Sequence, residues 1–198
     1  MRLEAKQIGR RQNKQEWLFR GIDLTLESGE IVGLQGASGC GKSTLCRILA
    51  GMERAEEGEV LLDGKRYAAK GYKPVQLVFQ HPEKAVNPRW KAKRILQEGW
   101  EPDQALLDDL QIDAAWLERY PSELSGGQLQ RICIARALSP QTKFLLADEM
   151  TTMLDAITQA QIWRTMLKVM EQRQMGMLVV SHDGELLRRI CHRILELP

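Results

Sequence analysis

This sequence has little net charge, no long apolar run and few cysteines. Its formal net charge is +2 over 198 residues, too small for a chain that grips nucleic acid through overall charge. No apolar run approaches the roughly 18–20 residues that span a bilayer. Arg2, Glu4 and Lys6 interrupt the start, and no apolar stretch follows, so no signal peptide is expected. Cys40, Cys46, Cys133 and Cys191 form no CxxC pair. That excludes a small secreted disulfide framework and points to reduced thiols in a cytosol. The three histidines do not cluster with the cysteines, which argues against a metal centre built from both. Internal repeats and low-complexity segments are also missing. Lys6, Arg10, Arg11, Lys14 and Arg20 are scattered near the start and read as a solvated face, not a binding patch.

What remains is a globular composition, 43% apolar and 27% charged, in a length that suits one domain or two small ones. Strands are expected at Leu3–Ile8, at Trp17–Leu26 with alternating Ile22, Leu24 and Leu26, and at Ile31–Leu34. A helix is expected from about Lys42 to Gly51, and further strands at Gly58–Leu62 and Val75–Phe79. From about His81 to Pro140 the pattern turns helical, broken by Pro82, Pro88, Pro102 and Pro121. Strand signals return at Phe144–Ala147 and Met177–Ser181. Between them Ile157, Ala160, Trp163, Met166, Leu167 and Met170 recur at helical spacing and read as a core-packing stripe. Strand–helix–strand alternation at both ends predicts an α/β fold with a largely parallel central sheet.

Gly36-Ala37-Ser38-Gly39-Cys40-Gly41-Lys42-Ser43 fits the pattern G-x-x-x-x-G-K-[ST], between an apolar strand and a helix. Glycines allow the tight path that turns backbone N–H groups inward onto an anion, and the helix start adds its positive dipole end. In such a loop Lys42 reaches the β- and γ-phosphates and Ser43 holds Mg²⁺. Phe144–Glu149 is an apolar strand ending in two acids. Asp148, at the carboxyl end where doubly wound sheets bind ligands, can hold the metal opposite Ser43. Glu149 is free to polarise an attacking water.

Leu124-Ser125-Gly126-Gly127-Gln128 precedes the amphipathic run Leu129–Leu138. Ser125 can cap a helix whose first turn offers free N–H groups. The segment Leu124–Leu138 resembles the signature of the ATP-binding cassette (ABC) family, and the resemblance runs from about Leu3 to Leu197 with the motifs in the family's order. It implies one ABC ATPase domain over residues 1–198. The expected fold is a P-loop NTPase core (1–80 and 141–198) with a mainly parallel sheet, an N-terminal antiparallel β subdomain and a helical signature subdomain at about 81–140. Gln80 resembles the Q-loop glutamine, which senses the γ-phosphate and Mg²⁺ and touches the transmembrane partner. Thr151–Asp155 resembles the D-loop, with Leu154 and Asp155 in matching places, and His182 resembles the switch histidine.

By that resemblance, two cassettes close head to tail around two ATP molecules. The loop Gly36–Thr44 of one faces Ser125–Gln128 of the other. The nucleotide contacts are then Gly36, Ala37, Ser38, Gly39, Cys40, Gly41, Lys42, Ser43 and Thr44, with Ser125, Gly126, Gly127 and Gln128. Catalysis falls to Glu149, His182, Lys42 and Gln80, and Mg²⁺ to Ser43, Gln80 and Asp148. Implied partners are a second ATPase subunit (a copy or a paralogue), permease subunits and an external solute-binding protein, with no nucleic acid. The chain would sit in the cytoplasm against the inner face of the membrane. Phe79–Arg89, with Asn87-Pro88, resembles the branch that serves dipeptide, oligopeptide and nickel importers; Pro88 is expected to start a helix. A non-transport ABC ATPase and an idle nucleotide-binding assembly module are the competing readings.

Three departures from the family stand out. Gln12 or Asn13 takes the place of the adenine-stacking aromatic, and the nearest aromatic, Trp17, falls where a second strand begins. Met150 replaces the proline usual after the catalytic glutamate. The chain ends at Pro198, so an edge strand is expected to be missing.

Overall fold

The computed structural model describes residues 1–13, 15–66 and 71–197; Lys14 and Pro198, named above, lie outside them. β1 (Arg2–Arg11) pairs antiparallel with β2 (Trp17–Glu27) and β4 (Glu57–Leu62), in the order β2-β1-β4. A second, wholly parallel sheet runs β5-β6-β7-β3-β8, from β3 (Ile31–Gln35), β5 (Val75–Val78), β6 (Phe144–Asp148), β7 (Gly176–Val180) and β8 (Arg193–Glu196). The α/β fold with two sheets of these kinds is the one the sequence predicted.

Every residue of β6 and β7 is buried, which is why both read as unbroken apolar runs. Their side chains alternate between two cores. Phe144, Leu146, Leu178 and Val180 face the layer that holds α1 (Lys42–Leu49) and the antiparallel sheet. Leu145, Ala147, Met177 and Val179 face α5 (Gly126–Ala137) and α6 (Ala156–Arg173). Between β5 and β6 the chain forms α2 (Ala92–Leu96), α3 (Gln104–Asp109), α4 (Ala114–Leu117) and α5, and α7 (Gly184–Ile190) follows β7. Ile95 of α2, Leu106 of α3 and Leu110 just after α3 pack into the core shared with α5.

The structure corrects two expectations and adds one strand. The added strand, β8, pairs with β3 at one edge of the parallel sheet; its short run shows one partly buried and three exposed residues, a weak pattern. In α6 the buried stripe is Ile162, Trp163, Thr165, Met166, Val169 and Met170, while Ile157 is 73% exposed. The apolar stripe reads correctly from Trp163 onward, with Leu167 partly buried, and fails before it, where Ile157 and Ala160 are both exposed. Pro88 starts no helix. It sits in a turn closed by the Trp90 amide on the Asn87 carbonyl at 3.1 Å, and α2 begins at Ala92, in keeping with proline at the second position of a turn.

Candidate active site

β3 ends at Gln35 and delivers the chain into the loop 36–41 at the N-terminus of α1. Gly41, the residue before α1, has φ 103° and makes no side-chain cap. A Cβ there would stand 2.7 Å from Phe19 Cδ1 and 2.9 Å from Leu18 Cδ2, so both the backbone angle and the close approach of β2 require glycine. The first-turn N–H groups of α1 therefore lack a side-chain cap, the arrangement that receives anions. Lys42 is 6% exposed, and its ammonium donates to the carbonyls of Gly36 (2.8 Å) and Ala37 (2.9 Å), bridging the loop.

Three strand ends of the parallel sheet converge beside this loop. Glu149, just past β6, has the left-handed φ of 48°, uncommon for a non-glycine residue. Its amide donates to the Val180 carbonyl at 3.1 Å, which ties it to β7. His182, past β7, brings Nε2 to 2.7 Å from Glu149 Oε1. Gln80, past β5, donates from Nε2 to Glu149 Oε2 at 2.9 Å. Thr152, which the sequence reading did not single out, lies 3.4 Å from the same Gln80 nitrogen and donates to the Glu149 carbonyl. Asp148 is 5% exposed. Burial pushes its carboxyl above the ordinary range, although a hydrogen bond with Ser43 works the other way. Gln80, Glu149 and His182 line one cavity of about 500 Å³ with Ser38, Gly39, Gly41, Lys42, Ser43 and Thr44, and with Gln12 and Leu18 from the antiparallel sheet.

The turn at Ser125 lies elsewhere. Ser125 Oγ accepts from the Gln128 amide (3.2 Å), and Gln128 Oε1 accepts from the Ser125 amide (2.9 Å), a reciprocal cap on α5. Ser125–Gln128 line a different cavity of about 460 Å³ with Trp116, Arg131, Met153, Leu154, Asp155 and Thr158. The two cavities share no lining residue. A single chain thus brings the phosphate loop to Gln80, Glu149 and His182 but not to the Ser125 turn.

Trp17 does not line the phosphate-loop cavity. Its ring is covered by the guanidinium groups of Arg11 (4.5 Å) and Arg20 (4.8 Å). Leu18, the neighbour that does reach the cavity, carried no signal in the sequence. Its place follows from how β2 crosses Gly41, a contact between distant parts of the chain.

A phosphate loop at a helix start, a carboxylate held between two strand ends and a separate glycine-softened helix cap define a nucleotide-hydrolysing cassette. The pattern of the ABC transporter family matches residues 19–152, and the chain belongs to that family. It is an ATP-binding, ATP-hydrolysing subunit of an ABC transporter. It is 36% identical to the nickel import ATP-binding protein NikE of Escherichia coli strain K12, over 93% of this chain and 76% of that protein. The namesake of Shigella dysenteriae serotype 1 (strain Sd197) matches to the same degree. Among solved structures, the dimeric post-hydrolysis state of the ATP-binding cassette MJ0796 bound to ADP and Pi is similar at TM-score 0.82 and 25% identity, covering 98% of this chain and 94% of that one.

Proposed function

We infer that this chain hydrolyses ATP with Glu149 as the general base, as one half of a cassette pair that energises import of nickel or a peptide-like solute. The observation that carries the chemistry is the Glu149 carboxylate, held by His182 on one oxygen and Gln80 on the other at the wall of the phosphate-loop cavity. In this reading Gly36–Thr44 cradle the triphosphate, and Lys42 exchanges its carbonyl partners for β- and γ-phosphate oxygens. Glu149 accepts a proton from the attacking water, and His182 and Gln80 fix the plane of its carboxylate. Residues 1–80 and 141–198 act as the nucleotide-binding core and about 81–140 as the helical insert.

Magnesium fits the donor set. The Asp148 carboxylate is buried beside the Ser43 hydroxyl, and a charge held out of water gains most from a cation. Among the described residues no group of three or more His, Cys, Asp or Glu could hold a metal alone, as suits an ion bound by few carboxylates plus substrate phosphates. Ser43, Asp148 and Gln80 would hold it, and it would neutralise charge on the β- and γ-oxygens.

Pairing is supported by the separation of the two cavities, since the Ser125–Gln128 turn can meet a phosphate only on another chain. Met153, which lines the Ser125 cavity, is 60% exposed, apolar surface that a second cassette would cover. For the permease, a groove of about 530 Å³ lined by Met52, Tyr72, Phe79, Lys84, Glu98 and Arg136, among others, starts at the residue before Gln80. No helix among the described residues is long and apolar enough to cross a membrane, so contact with separate permease subunits, on the inner face of the membrane, is the natural arrangement. The solute class rests on the nickel-import relatives and on Asn87-Pro88 after Gln80. An external solute-binding protein would complete such an importer.

Glu149→Gln tests the chemistry: ATP binding should persist and hydrolysis should fall, on the order of 100-fold or more. Wild-type turnover in that variant refutes the base. Radiolabelled nickel uptake in cells lacking this chain tests the solute, and undiminished uptake removes nickel from the reading.

A further inference from the structure

We propose that Arg47 is a positioning residue for the nucleotide: by donating to the Thr44 hydroxyl oxygen, it turns the hydroxyl hydrogen toward the innermost phosphate. The proposal rests on the reading above that the phosphate-loop cavity is the hydrolytic site.

Thr44 and Arg47 stand on α1 at the i, i+3 spacing that puts two side chains on one helix face. Arg47 Nη2 donates to Thr44 Oγ1 at 3.0 Å. A guanidinium has donors only, whereas a hydroxyl carries one hydrogen and two lone pairs. Thr44 therefore accepts from Arg47, and its own hydrogen points away from the guanidinium. Thr44 is half-buried and lines the phosphate-loop cavity, so a triphosphate seated there offers acceptor oxygens to that hydrogen. Within the loop reading, Lys42 takes the β- and γ-phosphate oxygens and Ser43 the metal. Thr44 is left for the phosphate nearest the sugar, which ATP and ADP share. A threonine hydroxyl on a helix otherwise turns back on the carbonyl four residues earlier, here that of Cys40, and is lost to the ligand.

The guanidinium is itself pinned. After α1, Gly51 reverses the chain with φ 64°, and the amides of Met52 (2.8 Å) and Glu53 (3.2 Å) both donate to the Arg47 carbonyl. That return brings Glu53 Oε1 to 2.5 Å from Arg47 Nε. Arg10 on β1 sets its Nη2 3.5 Å from Glu53 Oε2 and donates from Nη1 to the Arg54 carbonyl at 3.1 Å. A line of side chains, Arg10, Glu53, Arg47 and Thr44, thus runs from the antiparallel sheet to the cavity wall. With Nε on Glu53 and Nη2 on Thr44, the planar fork has two fixed points and cannot swing. Arg47 and Glu53 are 35% and 29% exposed, so salt screens their pairing less than at an open surface.

The Asp148 carboxyl, raised by burial, also feels the Arg47 charge. An effect that ran through Asp148 would need Mg²⁺, whereas the Thr44 hydroxyl meets a phosphate oxygen with or without the metal. Nucleotide binding measured in both conditions separates the two routes.

The test is a double-mutant cycle of Arg47→Met and Thr44→Val on the full chain. Its readouts are ATP and ADP dissociation constants, with Mg²⁺ and in EDTA, together with kcat and KM. Arg47→Met should weaken ATP and ADP alike, on the order of tenfold, in both conditions. The lost bond is made equally in ground and transition states, so KM should rise while kcat stays within about threefold. Thr44→Val should weaken both nucleotides on the order of 10- to 100-fold. Adding Arg47→Met to it should change affinity by less than about twofold. Glu53→Gln, which keeps the size of the side chain but frees the guanidinium, should repeat the loss at about threefold, even if the methionine variant folds poorly. Unchanged ATP affinity in both Arg47→Met and Glu53→Gln overturns the proposal. So does a full tenfold effect of Arg47→Met in the Thr44→Val background, or a loss confined to ATP or to Mg²⁺, since Arg47 would then act elsewhere. Lys42→Ala separates the two readings. If that variant binds ATP as tightly as the wild type, the phosphate-loop site itself is wrong; if it loses ATP while Arg47→Met keeps it, only the role of Arg47 fails.

Discussion

His182 Nε2 stands 2.7 Å from Glu149 Oε1, so the imidazole from the end of β7 donates to the carboxylate at the end of β6. Gln80 holds the other oxygen from β5. Three adjacent strands thereby fix one acid whose own backbone has φ 48°.

Residues that act as such a unit are not additive. His182→Ala should lower kcat on the order of 100-fold with ATP affinity nearly kept. Added to Glu149→Gln, it should lower kcat little further. Steady-state ATPase assays on the double-mutant cycle check this, and two effects that multiply in full would show that His182 works independently of Glu149.

The sequence revealed the parallel sheet because strands buried on both faces, such as Phe144–Asp148, are apolar without interruption. It did not reveal β8, whose residues stay largely exposed beside one neighbour. Ile157 misled because helical spacing records a face but not how far the core extends under it. The phosphate loop and the Asp148-Glu149 pair could be read from residue chemistry. Gln80 and His182 emerged only through family resemblance, since a lone glutamine or histidine after a strand carries no local signature. Leu18 was hidden altogether, because it reaches the site by crossing Gly41 from another sheet.

Cys40 should be the thiol through which alkylation acts. Burial pushes Cys133 up to about 11 and Cys191 up to about 11, and Cys46 is raised well above its ordinary value by its burial, so all three are thiols, not thiolates, at neutral pH. Cys40 is half-buried, with Sγ 4.0 Å from Lys42 Nζ. One equivalent of N-ethylmaleimide should label it first and abolish hydrolysis, ATP should protect, and Cys40→Ser should remove the sensitivity. Mass mapping after labelling decides, and full activity with Cys40 stoichiometrically modified contradicts the expectation.

Gln130 links α5 to the catalytic wall. It is 2% exposed, its Nε2 donates to the Phe79 carbonyl at 3.0 Å, and its Oε1 is buried without a partner. In Gln130→Leu the carbonyl loses that donor while the orphaned oxygen disappears, two opposed effects of about 1–3 kcal/mol each. Stability should therefore change little. Turnover should fall about tenfold, because the chain at Phe79 sets the approach of Gln80. Urea unfolding and kcat measured on one preparation test the pairing, and an unchanged kcat removes any positioning role for Gln130.

The edge strand β8 is held by a charge, and its hold should depend on pH. Arg193 Nε donates to Glu30 Oε1 at 2.6 Å, and its Nη2 to the Thr25 carbonyl. Partial burial of Glu30 raises its pKa, but bonds from Arg193 and the Glu27 amide, with Arg193 and His192 charge, outweigh it and leave the carboxyl below its ordinary 4.5. A depressed carboxyl stabilises the fold above its unfolded pKa and loses that contribution as pH falls through the lower, folded value. Arg193 is 40% exposed, so screening keeps the ion pair near 0.5–1 kcal/mol by order of magnitude. Glu30→Gln should lower stability by about that amount near neutral pH, a shift of roughly 1–4 °C in Tm. The gap between variant and wild type should close as pH is lowered below the ordinary glutamate range. Thermal melts across that range check it; a gap of constant size would mean that shape and hydrogen bonding at Glu30, not its charge, hold β8 to the sheet.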